Sequence, residues 1–304
     1  MRAAFLDLDD ALARQPRLRE QVMATGGSIA AARDLGPALR LWSRPMPLAR
    51  LQQRLADALP ASQGPRLVFA GSGDFHHVSP NLIARAIEAT DGGPVTVVHL
   101  DNHPDWVRYA NGLHCGSWVG AAARTPGVAK VVTVGVCSAD VGRGRVREAD
   151  ISLVTQNQLA LLAYKAPDGG DRLRVADRSW PTFEGLGLAG FITEVLSQIT
   201  TENVYLTLDK DVLRAEDAAT NWDQGLMSAA QLFAILGAVL ERHKLIGADV
   251  VGDWSRQAFG GGLVAGLLKR GEAMLDQPWR APANIDSLNE TLNLRLAELF
   301  EKAA

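Results

Sequence analysis

The sequence predicts an α/β fold of three layers, in which a mostly parallel central sheet lies between helices. Three observations lead there. Several apolar runs are continuous Val/Ile/Leu stretches rather than alternating ones, as expected of strands covered on both faces. Helical stretches separate these runs, and such alternation means parallel strands joined by crossovers. Clusters of Asp and His follow three of the runs, where a parallel sheet gathers its ligand-binding groups.

Strands are expected at 3–8, 67–70, 95–100, 131–136, 151–154, 204–208 and 246–251, with helices at 48–59, 80–89, 117–124, 192–199 and 229–243. Ser79 and Ser228 stand where N-caps belong, and Pro80 takes a first helical position. Leu288, Leu292, Leu296 and Leu299 recur at helical spacing in 286–302, which predicts a terminal helix packed on the domain or on a neighbouring subunit. Segment 167–181, rich in Asp, Gly and Arg, reads as a surface loop. Gly260-Gly261-Gly262 lacks a following Lys-Ser/Thr and reads as a turn or rim rather than a phosphate loop. With no internal repeat and no linker, 1–304 is expected to form a single domain.

Composition narrows the function. Hydrophobic content of 47% and charged content of 21% describe a soluble globular protein with ample core material. A net charge of −3 without a basic stretch argues against nucleic acid or an anionic membrane as partner. No apolar segment is long enough to span a bilayer. Asp7 and Asp9 come too early for a secretory leader. Two cysteines, Cys115 and Cys137, are too few for a disulfide framework. Both read as small buried residues, and a cytoplasmic location is expected. Cys115 follows His114, but neighbours on a strand point apart, which argues against a nucleophile–base pair.

The chemistry lies in the polar clusters. After the run Val95-Thr96-Val97-Val98 comes His99-Leu100-Asp101-Asn102-His103-Pro104-Asp105. In an extended chain, residues two apart share a side, so Asp101, His103 and Asp105 converge. His99 shares that side but is expected to lie too far back to join them. Oxygen and imidazole donors in this number suit a divalent ion such as Mn²⁺ or Zn²⁺. Asp209 and Asp211 repeat the pattern after Val204 to Leu208, and Gly71-Ser72-Gly73-Asp74-Phe75-His76-His77 follows the run at 67–70. Three such clusters after three apolar strands point to one shared metal site.

In these motifs the chain resembles the ureohydrolases, the arginase and agmatinase family, whose fold is shared with deacetylase-like amidohydrolases. The family's Gly-Gly-Asp-His-Ser, Asp-Ala-His-x-Asp and Asp-x-Asp-x-x-Asp-Pro motifs correspond to Gly71 to Ser79, Asp101 to Asp105 and Asp209 to Asp211. The resemblance implies an arginase/deacetylase-like sheet and two Mn²⁺ ions per subunit, with Ni²⁺, Fe²⁺ and Zn²⁺ fitting the same donors. It implies that Asp101, Asp105, Asp209 and one of His76 or His77 hold one ion. Asp101, His103, Asp209 and Asp211 would hold the other, so that Asp101 and Asp209 bridge. Asn111-Gly112-Leu113-His114 resembles the family's Asn-Leu-His-Gly, which makes His114 the implied general acid.

The departures fall elsewhere. Phe75 and a doubled histidine make the first motif irregular, and Arg214-Ala215 replaces the Asp-Pro that closes the third. Lys210, between the two aspartates, is expected to point away from the metals and to need a partner if buried. Gly252 stands where the family carries a guanidinium-binding glutamate, with Asp253 one residue on, and 219–225 replaces a threonine-rich segment. The expected function is therefore hydrolysis of a C–N bond in a small guanidino, formimino or amide compound. Alternatives are a metal-binding protein with little catalysis and a single-metal deacetylase-like amidohydrolase. A homo-oligomer, trimeric or hexameric, is implied by resemblance alone.

Overall fold

The apolar runs assemble into one sheet. The structure, a computed structural model, describes residues 1–60, 66–90, 93–142, 148–277 and 285–302. Its sheet has eight strands: β1 (Arg2–Asp7), β2 (Ser28–Ala31), β3 (Arg66–Phe69), β4 (Val95–Leu100), β5 (Val128–Val136), β6 (Leu159–Ala163), β7 (Asn203–Asp209) and β8 (Lys244–Val251). They lie in the order β2-β1-β3-β8-β7-β4-β5-β6, and every neighbouring pair is parallel.

This order decides where the chemistry sits. The chain leaves β3 on one side and resumes at β4, and the last two strands then fill the gap between them. The carboxyl ends of β3, β8, β7 and β4 are thereby side by side in the middle of the sheet. Every residue of β4 is buried, as its unbroken apolar run requires. One continuous core draws on β1, β3, β4, β5, β6, β7, β8 and the helices covering them.

Several sequence expectations are corrected here. Residues expected as a strand at 151–154 form the helix Ile151–Thr155, and the strand lies just beyond at Leu159–Ala163. A short apolar run fits either state by periodicity; the chain reverses at Asn157, whose φ of 59° is left-handed. Segment 167–181 contains an antiparallel ribbon, Arg172–Val175 with Arg178–Pro181, that buries Leu173, Val175 and Trp180. Helices Pro16–Ala24 and Leu263–Asp276 were not expected. Ser79 does not cap its helix. It lies inside Ser79–Glu88 and its hydroxyl donates to Asp249 Oδ1 at 2.9 Å.

Ser228, by contrast, is the N-cap of Ala229–Arg242 and forms a capping box: its Oγ accepts the Gln231 N–H at 3.3 Å while Gln231 Oε1 accepts its own at 2.8 Å. Replacing such a cap by alanine costs about 1 kcal/mol. Ser228→Ala should accordingly lower the unfolding free energy by that amount, read as a lower urea midpoint with the slope of the transition unchanged.

Candidate metal centre

Local turns, rather than straight strands, bring the polar residues together. After β3 the chain enters a 3-10 turn, Gly73–Val78, opened by Ser72, whose Oγ accepts the Asp74 N–H at 3.3 Å. That turn buries both His76 and His77 but uses them differently. His76 Nδ1 comes within 3.2 Å of Asp101 Oδ2, 3.5 Å of Asp105 Oδ2 and 3.6 Å of Asp209 Oδ2. His77 makes no ion pair among the described residues, and neither of its nitrogens has a hydrogen-bond partner. Burial, with His114 and Lys269 nearby, pushes its pKa well below the usual histidine value. Of the adjacent pair, only His76 meets the carboxylates.

Beyond β4 the chain is bent, not extended. Asp101 Oδ1 accepts the His103 N–H at 2.6 Å, and Asp105 has a left-handed φ of 47°. Strict alternation is thus broken, and the residues divide between two groups that share Asp101. His76, His99, Asp101 and Asp105 form one; Asp101, His103 and Asp211 form the other. His103 Nδ1 lies 2.9 Å from Asp211 Oδ2 and 3.5 Å from Asp101 Oδ1. His99, expected to fall short, reaches Asp101: its Nε2 is 2.7 Å from Oδ2, and its Nδ1 is 3.1 Å from Thr133 Oγ1. Burial lowers its pKa to about 4, so it stays neutral and orients that carboxylate.

The third turn, Lys210–Val212, follows β7. Asp209 Oδ1 accepts the Asp211 N–H at 3.0 Å, and Asp211 Oδ1 accepts the Asn102 N–H at 3.0 Å, which stitches the ends of β7 and β4 together. Asp209 lies outside both groups of mutually close donors and approaches the first through His76. Lys210 is buried away from this cluster and donates to Asp253 and, at 3.1 Å, to Asn293 Oδ1. Asp253 therefore balances Lys210.

Two glycines explain how Asp209 fits. A Cβ on Gly73 would overlap its Oδ2, and one on Gly252, whose φ is +90°, would overlap its Oδ1 and the Lys210 nitrogen. No side chain fits at 252 while Asp209 keeps this place. Behind the first turn, buried Arg40 donates to Asp9 at 3.0 Å and Asp74 at 2.5 Å, and Asp74 also accepts from Trp222 at 2.9 Å. Asp74 is spent on holding the loops together.

The residues fit divalent cations. Thr207 Oγ1 donates to Asp249 Oδ1 at 2.8 Å and so takes the Nε2–H of His76 at 2.8 Å, which leaves Nδ1 with a free lone pair and no hydrogen-bond partner. Asp223 Oδ1 holds Nε2 of His103 at 3.0 Å in the same way. Fixing the outer nitrogen to present the inner one is how proteins orient imidazole ligands. Charge points the same way. Burial and mutual repulsion push Asp105 and Asp209 well above the usual carboxylate range and Asp211 up to about 7. Against burial, surrounding histidines hold Asp101 well below it, and Asp211 with Asp101 and Asp223 holds His103 well above the histidine value.

Asp101, His103, Asp105, Asp209, Asp211 and Asp223 line a cavity of about 540 Å³ with Tyr109, His114, Trp222 and Glu272. His114 Nδ1 accepts the Gly116 N–H at 2.8 Å, so Nε2 carries the proton and donates it to Glu272 Oε1. Trp42 Nε1 holds the other oxygen of Glu272 at 3.2 Å. Cys115 Sγ does lie 3.7 Å from His114 Nδ1, contrary to the strand argument, because the chain turns into a 3-10 segment there. Burial pushes its pKa well up, and it remains a thiol. Cys137 is half-buried.

No family model matches the sequence, and neither does any curated protein. Solved structures do. An arginase from Bacillus cereus superposes with a TM-score of 0.60 at 14% identity, over 98% of this chain and 97% of that one. A hypothetical agmatinase from Burkholderia thailandensis gives 0.58 at 16%, over 99% and 86%. A formimidoylglutamase from Bacillus subtilis gives 0.54 at 13%, over 97% and 86%. The chain has the arginase fold. At these identities the likeness is one of architecture, and the arginase fold here carries its polar residues at the carboxyl ends of four adjacent central strands.

Sequence reasoning missed His99 as part of the cluster, and it missed Thr207, Asp223, Asp249 and Glu272 entirely. Thr207 and Asp249 sit inside apolar strands; period two from Asp209 marks Thr207 as sharing its side, and Asp249 joins it only as the neighbour of Thr207 across the sheet. Glu272 belongs to a helix distant from every motif and carries no local signal.

The cradle around Asp209 is testable. Gly252→Ala should weaken divalent-ion binding by about 10- to 100-fold while leaving the far-ultraviolet spectrum unchanged, as read by titration calorimetry of the metal-stripped protein.

Proposed function

We propose that the chain is a binuclear, Mn²⁺-dependent hydrolase that cleaves a C–N bond in a small amidine, guanidino, formimino or amide compound. The observation that carries this reading is the pair of imidazoles, His76 and His103, each tied at Nε2 and presenting Nδ1 to buried carboxylates that share Asp101. His76, Asp101, Asp105 and Asp209 would hold one ion, and Asp101, His103, Asp209 and Asp211 the other. Two such ions, when bound, lower the pKa of a shared water and supply hydroxide near neutral pH.

The chain's own residues supply the rest. His114 and Glu272 form a hydrogen-bonded pair on the cavity wall. Glu272 would take up the proton that the attacking water loses, and His114 Nε2 would pass its proton to the departing amine as Glu272 returns one to it. General acids acting in such a relay accelerate by roughly 10²–10⁴-fold. Glu272 also provides the carboxylate that a cationic amidine needs, in a cavity where position 252 has no room for a side chain. Tyr109 and Trp222 wall the cavity and limit the size of the substrate. A single-ion reading is favoured only by the compactness of the His76, His99, Asp101 and Asp105 group.

No described helix is long and apolar enough to cross a membrane, and we place the enzyme in the cytoplasm, acting on a small molecule. Mn²⁺-loaded protein should release urea or ammonia from at least one member of a panel of guanidino, formimino and amide compounds. His114→Ala should keep its bound metal and lose about a hundredfold or more in kcat. Full turnover by the variant would remove His114 from the mechanism, and silence across the panel would overturn the hydrolase reading.

A further inference from the structure

The helix Leu263–Asp276 has two faces of opposite character. Its inner face is fastened to the cavity wall. Ala265, Lys269 and Ala273 are buried, Lys269 Nζ donates to Ala38 O at 2.8 Å and lies 4.6 Å from the centre of the Trp42 ring, and Glu272 receives the His114 proton. Its outer face is apolar and open, and at its end Leu275 also reaches the rim of the cavity. Leu263 is 82% exposed, Val264 69%, Leu267 62%, Leu268 61%, Met274 49% and Leu275 87%.

These residues are not scattered. Together they expose on the order of 700 Å² on one helix face, above what a monomer usually shows in one patch and close to the roughly 800 Å² per partner of a standard interface. The order of residues says what covers it. Val264, Leu268, Gly271 and Leu275 are spaced four, three and four apart, the step of a helix-to-helix seam. That spacing reads the same in both directions. Set antiparallel on a second copy of itself, the seam puts Val264 opposite Leu275 of the partner subunit. Leu268 then faces Gly271 of the partner subunit, and the space where a Gly271 Cβ would stand is open. A bulky side chain meeting a gap, twice over, is the self-complementarity that a two-fold contact requires.

We propose that this helix is a self-association face, on which two copies of the chain pack Leu263–Asp276 antiparallel across a two-fold axis. The pairing braces the wall that carries Glu272, since that residue lies on the same helix.

Light scattering and sedimentation velocity on the full chain test this across a concentration series. The wild type should assemble with an even number of copies. Leu268→Glu combined with Leu275→Glu should halve the mass while the far-ultraviolet spectrum stays native. Gly271→Leu is the sharper variant, because it adds apolar surface yet fills the gap that Leu268 of the partner subunit enters. It should also weaken the assembly. Stronger association of Gly271→Leu, an assembly unchanged by the double variant, or a wild type that is monomeric throughout would each overturn the proposal. So would a monomer that pelleted with phosphatidylcholine vesicles through this face.

Discussion

Four carboxylates, those of Asp101, Asp105, Asp209 and Asp211, are buried together at the ends of two adjacent parallel strands. Like charges brought this close in a poorly solvated interior repel strongly and cannot all ionise without compensation. The raised pKa values of Asp105, Asp209 and Asp211 express that conflict directly. Much of the surrounding structure is arranged to tolerate it. Backbone N–H groups of His103, Asp211 and Asn102 point into the carboxylates, three histidines surround Asp101, and two glycines give Asp209 room. The remaining compensation is what divalent cations supply.

The outer layer of the site works by removing choices. Asp249 accepts from Ser79, Thr207 and Tyr205, which fixes the Thr207 hydroxyl and through it the proton of His76. Asp223 does the same for His103 from a different loop. Each ring is therefore held with Nδ1 toward the carboxylates before any ion arrives; His103, kept charged by Asp211, would release its inner proton on metal binding. The buried pairs of Arg40 with Asp9 and Asp74, and of Lys210 with Asp253, lie behind the turns that carry His76 and Asp211. Breaking such pairs one-sidedly is costly, which keeps those turns in one conformation.

The architecture was legible in the sequence because the central strands are buried on both faces and so are written as unbroken apolar runs. Edge strand β2 and the short helix at Ile151–Thr155 were not, since brief apolar runs carry no distinguishing period. The polar clusters stood out because Asp and His crowd the strand ends. Their division into two groups did not, because it depends on the left-handed turn at Asp105 and on the Asp101 to His103 hydrogen bond. The choice of His76 over His77 likewise follows from the 3-10 turn, which the residue order alone does not specify. Glu272 was invisible for a different reason: it arrives from a helix about 160 residues beyond His114 in the chain, and only the packing of that helix over Trp42 brings them together.

The central claim is that this cluster holds two divalent ions and that Asp101 serves both. The most direct measurement is the metal content of the purified chain after dialysis against Mn²⁺, for the wild type and for Asp101→Asn. The account predicts about two equivalents in the wild type and at most one in the variant. A wild type that retains no divalent metal when Mn²⁺, Ni²⁺ or Zn²⁺ is supplied, or a variant that still binds two, would contradict it.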